Sequence, residues 1–379
     1  MIKETMTPKE RIEAAVNLEP VDRIPCAPLM DIYFPCKHKK MKVAECYSDM
    51  RKGFHAIVDV FDEVGGWDGM ILPGYSLAIT PHVYSGVVIG KTMIPGKDFE
   101  ENEVAQFQEL EVLIRDDYDK IAKLGYNQFR VKYRQRFTSY NEDQILKWTR
   151  RQMTQYQYEL ETWSARGIRS LCGAIVSSPM MILSTTRTLV EFTMDLFEIP
   201  DQVEAAMEAM VDDLIQDTIE AAQISGEQGV MLIMERSGCF YYSLDIYERF
   251  EYPFMKKMVE AFAEEGLITV MHLDQDYTMN LPYFKDLPPK MVVAEFDSMT
   301  DIFKAKEILN GHICIAGDVP AALTTLGKVE EVEEYCRKLI DVVGKDGGFI
   351  LSTGCTCPVE CKMENFKAMV DTTKTYYPH

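Results

Sequence analysis

At 379 residues, 47% hydrophobic and 26% charged, the chain can bury one large core, and no apolar run approaches the ~18 residues that a membrane helix needs. Sixty acidic against forty basic residues give a formal net charge of −20, which repels nucleic acid and anionic lipid and argues against either as a partner. Ten scattered cysteines suit thiols in a reducing compartment, and Met1-Ile2-Lys3-Glu4-Thr5-Met6 lacks a basic-then-apolar leader, so a cytoplasmic location is expected.

The first predicted element is a helix: Thr7 can cap it, Pro8 suits its first position, and Lys9 to Val16 carries amphipathic spacing until Asn17-Leu18-Glu19-Pro20 ends it. Short apolar, β-branched runs then alternate with longer helical patterns. They are Arg23 to Met30, Asp68 to Leu72, Ile168 to Val176, Val230 to Glu235, Leu267 to Leu273, Met291 to Phe296, His312 to Ala316 and Phe349 to Ser352. Eight such units predict a (β/α)8 TIM barrel, one domain over residues 1–379. Between the second and third runs, residues from about 98 to 162 are dense in charge and aromatics with no clear strand. This reads as a helical insertion on the catalytic face, its aromatics serving mainly as packing.

Catalytic groups of such a barrel lie where strands end, so the residues closing each apolar run are the candidates. Three runs close on chemistry: Val230 to Met234 on Glu235, Ile268 to Met271 on His272, and Phe349 to Gly354 on Cys355. Carboxylate, imidazole and thiol are donors that Zn²⁺ accepts, three from protein with one position open. A carboxylate closing an apolar strand needs a cation or donor. Arg236 is the competing partner for Glu235, but successive strand residues point to opposite faces, so the two should diverge. Cys357 and Cys361 read as small loop residues. There is no Gly-x-Gly-x-x-Gly or Walker-type sequence, which excludes the common nucleotide cradles. There is also no Asp-x-His-x-x-Gly, so a corrinoid would arrive on another protein.

Met6 to Pro28, Ser243 to Lys257, Ile315 to Pro320, Leu351 to Pro358 and Glu364 to Val370 resemble segments of the uroporphyrinogen decarboxylase superfamily, in particular its corrinoid-dependent methyltransferase branch. The likeness runs nearly end to end and implies the barrel independently of periodicity. Porphyrinogen decarboxylation needs cations for a polycarboxylated substrate, and Met30 to His38, where decarboxylases carry an arginine-rich segment, has no arginine pair. The methyltransferases use zinc, often through a His-x-Cys pair and a distant Cys; His272 and Cys355 match, while Asp274 stands where the first cysteine would be. An O-demethylase subgroup resembles a Glu, Glu, His pattern instead. There Glu251, twenty-one positions before His272, and Glu235, sixteen before Glu251, are the matching carboxylates. Glu235 and His272 fit both schemes, and Glu251 and Cys355 compete as the next ligand; without the resemblance Glu251 reads as a solvated helix carboxylate.

The resemblance thus implies a zinc-dependent methyltransferase that moves a methyl group from a small substrate, best a methoxylated aromatic, to the cobalt of a separate corrinoid protein. Asp274 or Tyr241 would give the departing oxygen a proton or hydrogen bond. Phe240, Tyr242 and Trp67 are candidate walls for an aromatic ring, with core packing as their alternative role. Two other readings stand beside this one: a metal-free tetrapyrrole- or corrinoid-binding accessory protein, and a divergent decarboxylase.

Overall fold

The computed structural model describes residues 4–74, 91–138 and 140–377. Helix α1 (Pro8–Val16) begins as its sequence dictates: the Thr7 hydroxyl accepts from the Glu10 N–H at 3.3 Å, and the Glu10 carboxylate accepts from the Thr7 N–H at 2.8 Å. The strands are β1 (Gly69–Met70), β2 (Arg169–Ser170), β3 (Ala174–Ser177), β4 (Gly229–Ile233), β5 (Ile268–Leu273), β6 (Val292–Phe296), β7 (Cys314–Val319) and β8 (Phe349–Thr353). From β3 to β8 they form one parallel six-stranded sheet in chain order, and β1 pairs parallel with β2.

A few backbone hydrogen bonds at each seam join these pieces into a ring. The Leu351 N–H donates to the Pro25 carbonyl at 2.9 Å, Asp68 N–H to Cys26 at 2.8 Å, Leu171 N–H to Met70 at 2.7 Å and Gly173 N–H to Gly229 at 2.8 Å. The chain is a (β/α)8 barrel whose first staves are bridged rather than laddered. Residues 25–29 occupy the first position with one bridge, Cys26 to Leu351, because Pro25 and Pro28 have no N–H to give. The third stave, expected unbroken from 168 to 176, splits at 171–173. There the Leu171 carbonyl lies so close to Gly229 that a Cβ on Gly229 would stand 1.8 Å from it. β7 runs three residues past its expected end at Ala316.

Side chains alternate as the pleat requires. Leu29, Ile71, Met231, Ile233, Val270, Val293, Ala316 and Ile350 pack together inside the barrel with Ala15 and Val16 of α1, which therefore plugs the N-terminal end. Leu232, Met271, Leu273, Ala294, Phe296 and Leu351 face outward into the core shared with the helices. The segment between β1 and β2 carries helices Asp117–Leu124, Tyr126–Lys132, Arg134–Phe137 and Glu142–Ser164. It also holds a short strand that sequence reading did not find: Gln106–Gln108 pairs antiparallel with Lys91–Met93, too short for alternation to show. Tyr118, Tyr126 and Phe129 are fully buried there as packing. Among the described residues no helix is long and apolar enough to cross a membrane.

Candidate metal centre

Continuing the inward parity to the C-terminal rim predicts which groups meet. Ile233 leads to Glu235, Val270 to His272 and Asp274, and Val293 to Glu295 and Asp297. Glu235 and Arg236 do diverge. Glu235 lies 3.7 Å from His272 Nε2, while Arg236 pairs at 2.6 Å with Glu109, which brings the segment between β1 and β2 to the rim of the mouth.

His272 is the hub. It is register partner to Glu295 across β5 and β6, and its Nδ1 donates to the Glu295 carboxylate. A carboxylate that accepts at Nδ1 fixes the tautomer and leaves the Nε2 lone pair directed into the mouth, the arrangement that metal-bound histidines use. Nε2 stands 3.5 Å from Asp274 Oδ1, and Cys355 Sγ donates to Asp274 Oδ2 at 3.3 Å. One donor atom from each of His272, Asp274 and Cys355 lies within 4.8 Å of the others.

These spacings suit a metal. Bonds of about 2.0–2.3 Å at the tetrahedral angle put neighbouring donor atoms roughly 3.3–3.8 Å apart. The 3.3, 3.5 and 3.7 Å separations around Asp274 and His272 fall in that interval. Asp274 Oδ1 and Glu295 Oε1 are buried without a hydrogen-bond partner, which leaves negative charge that a cation would compensate. The electrostatics of the group agree. Burial opposes the His272 imidazolium, yet Glu295 and Asp274 outweigh it and hold the ring well above its ordinary value. Burial raises the Glu235 and Glu295 carboxyls and the Cys355 thiol, while His272 pulls each of them back down. A dication would replace these shared protons.

The remaining candidates have other neighbours. Glu251 is fully buried at the junction of helices Leu244–Phe250 and Tyr252–Glu264, so it is no solvated carboxylate. It accepts from Ser178 Oγ at 2.9 Å, and burial pushes its carboxyl up to about 8. Phe240 and Tyr241 sit on the loop after β4 with ring centroids 5.0 Å apart, Phe240 being 52% exposed. Tyr242 turns into the core against Phe192. Trp67 lies ahead of β1, packed edge-on against Phe61 and Phe366, and belongs to the hydrophobic core. Glu295 was missed from sequence. Its signal was present as a carboxylate inside the apolar run Val292-Val-Ala-Glu-Phe296.

Comparison with known proteins bears on this geometry. The family pattern described as Uroporphyrinogen decarboxylase (URO-D) matches residues 165–376, more than half of the chain. The chain belongs to the uroporphyrinogen decarboxylase family. Within this family it is similar to the methylcobamide:CoM methyltransferase MtbA of Methanosarcina acetivorans, at 29% identity over 132 residues. The MtbA of Methanosarcina mazei is 27% identical over 132 residues. Each alignment covers 35% of this chain and spans 37% of the relative's length. A solved methyltransferase structure from Methanosarcina mazei superposes with a TM-score of 0.71 over 97% of this chain and 98% of its own. At 15% identity it shows that the fold is shared from end to end.

Proposed function

We propose that this chain is a zinc-dependent methyltransferase of one (β/α)8-barrel domain, moving a methyl group from a small methoxylated aromatic to the cobalt of a separate corrinoid protein in the cytoplasm. The observation that carries the reading is the group of His272, Asp274 and Cys355 at the barrel mouth, with Glu235 3.7 Å from the same imidazole nitrogen. The names of the MtbA relatives support methyl exchange with a corrinoid. The insertion at about 98–162 borders the catalytic face through Glu109 and Arg236.

Zinc bound there supplies a Lewis acid that draws charge from an ether oxygen while its methyl group leaves. A donor set with one thiolate and more than one carboxylate keeps more positive charge on the ion than a cysteine-rich set does, which favours an oxygen leaving group. Glu295 holds the proton on Nδ1 of His272 and so keeps Nε2 free to bind. Tyr241, half-buried on the loop after β4, is the hydrogen-bond donor proposed for the departing oxygen, and Phe240 beside it is the ring wall. Glu251 is the alternative to Cys355 as third ligand.

Elemental analysis of the purified chain tests this reading, together with the absorbance change of cob(I)alamin to methylcobalamin on a corrinoid protein supplied with a methoxybenzene. We expect about one zinc per chain, lost in His272→Ala with the circular dichroism spectrum intact, and methyl transfer lost with it. A wild-type chain that takes up no zinc and binds free corrinoid tightly would instead be the accessory protein.

A further inference from the structure

The charge of the mouth goes beyond what a metal needs. Inward parity is fixed for these staves by their neighbours in the barrel interior: Ala27 and Leu29 before Asp31, Ile233 before Glu235, Val270 before Asp274, and Val293 before Glu295 and Asp297. Carboxylates follow this parity at or just past the C-terminal ends of four of the eight staves: Asp31, Glu235, Asp274, and Glu295 with Asp297, of which Asp31 accepts from the Tyr33 N–H at 2.9 Å and Asp297 from the Gln275 and Met299 N–H groups at 2.9 and 2.7 Å. Among the described residues none of these inward rim positions is lysine or arginine, and Arg236 is engaged by Glu109 at 2.6 Å. A dication would offset two of the five inward carboxylates and leave three.

A second, independent observation marks the same space as a place for a ligand. Ser352, fully buried on β8, continues the inward parity of Ile350, and its hydroxyl has no hydrogen-bond partner. Glu295, also fully buried, has one carboxylate oxygen bonded to His272 and the other unpartnered. Buried polar groups of this kind are satisfied by something that the folded chain does not itself contain. Burial raises the Asp297 carboxyl and pushes that of Asp31 up to about 7, a shift that a cationic neighbour would reverse.

We infer that the mouth selects a methylated substrate that carries positive charge, such as an ammonium group beside its methoxylated ring, and rejects those that carry a carboxylate or sulfonate. The inference rests on the methyltransferase reading for its choice of aromatic core but not for its charge. An anionic group entering the mouth would meet carboxylates that outnumber the charge of one dication in a low-dielectric space, whereas an ammonium would pair with those carboxylates directly.

The test uses the zinc-loaded full chain and three probes with one ring: 4-methoxybenzylamine, 4-methoxybenzyl alcohol and 4-methoxybenzoate. Dissociation constants are read by titration calorimetry at low salt. We expect the ammonium to bind tightest, the alcohol next, and the benzoate at least about tenfold more weakly than the ammonium. The ratio should shrink in high salt and fall about threefold or more in Asp31→Asn and in Asp297→Asn, two isosteric variants whose melting curves report any loss of fold. Benzoate binding as tightly as the amine, the alcohol binding tighter than the amine, or no binding of any probe overturns the inference. Because calorimetry needs no corrinoid protein, the two proposals fail separately. The charge order can hold while methyl transfer to cobalt is absent, and methyl transfer can proceed while the charge order inverts.

Discussion

The two ends of the barrel hold buried carboxylates in opposite circumstances. At the foot, Asp68 accepts from Arg11 at 2.5 Å, from Arg23 at 2.7 and 2.8 Å and from the Cys26 N–H at 2.9 Å, so both its oxygens are satisfied. Asp22 and Glu4 complete the same ion-pair network. A cleft of about 280 Å³ opens beside it, in which Arg169 pairs with Glu227 at 2.9 Å and Lys9 with Glu13 at 3.7 Å. At the mouth, Glu235, Asp274 and Glu295 surround one histidine and have no arginine of their own. The foot carries its counter-ions in the sequence and the mouth must recruit them, which is why the first reads as stability and the second as function.

The comparison can be broken at either end. The largest effect belongs to the foot: Asp68→Ala removes the buried carboxylate that two buried guanidinium groups share, leaving Arg11 with Asp22 and Arg23 with Glu4, and should cost about 3–5 kcal/mol in a urea titration. The folded fraction should still take up zinc. Loss of zinc from the folded fraction would show that the ends are not independent. Glu295→Gln strikes only the mouth. It should weaken zinc binding about 10–100-fold in a chelator competition while leaving the melting point of the metal-free chain nearly unchanged. An unchanged zinc affinity would remove Glu295 from the site.

Glu251 sharpens the contrast through its dependence on pH. Its folded value of about 8 lies above the ordinary 4.5, so the folded chain retains a proton that the unfolded chain has released. Stability from this group is therefore complete below pH 4.5 and declines as pH rises toward about 8, by at most about 1.4 kcal/mol per unit. Glu251→Gln should flatten that decline in denaturation of the metal-free chain measured from pH 6 to 9. If the variant instead loses zinc, Glu251 is the third ligand and Cys355 is not.

Most of the fold was legible because eight apolar runs keep their β-branched character even where pairing is thin. What failed were details set by backbone partners: prolines 25 and 28 silence the donors of the first stave, and Gly229 admits the Leu171 carbonyl that splits the third. Glu235, His272 and Cys355 were legible as residues that close apolar runs. Asp274, read as a proton donor, comes into the same donor group, since the loop after β5 keeps the strand's parity for one more step. Glu295 required register, because only the pairing of His272 with it across neighbouring strands reveals the contact. Phe240, Tyr242 and Trp67 scatter because nothing in an aromatic residue's sequence neighbourhood says which layer it joins.

Helix α1 has a kinetic consequence. By setting Ala15 and Val16 into the interior beneath Leu29 and Ile350, it makes the barrel a vessel with one opening. A small donor and a macromolecular acceptor that share one opening cannot arrive in either order, since the larger closes the way for the smaller. For the proposed methyl transfer such a vessel dictates an ordered reaction, in which the demethylated product leaves only after the corrinoid partner has undocked.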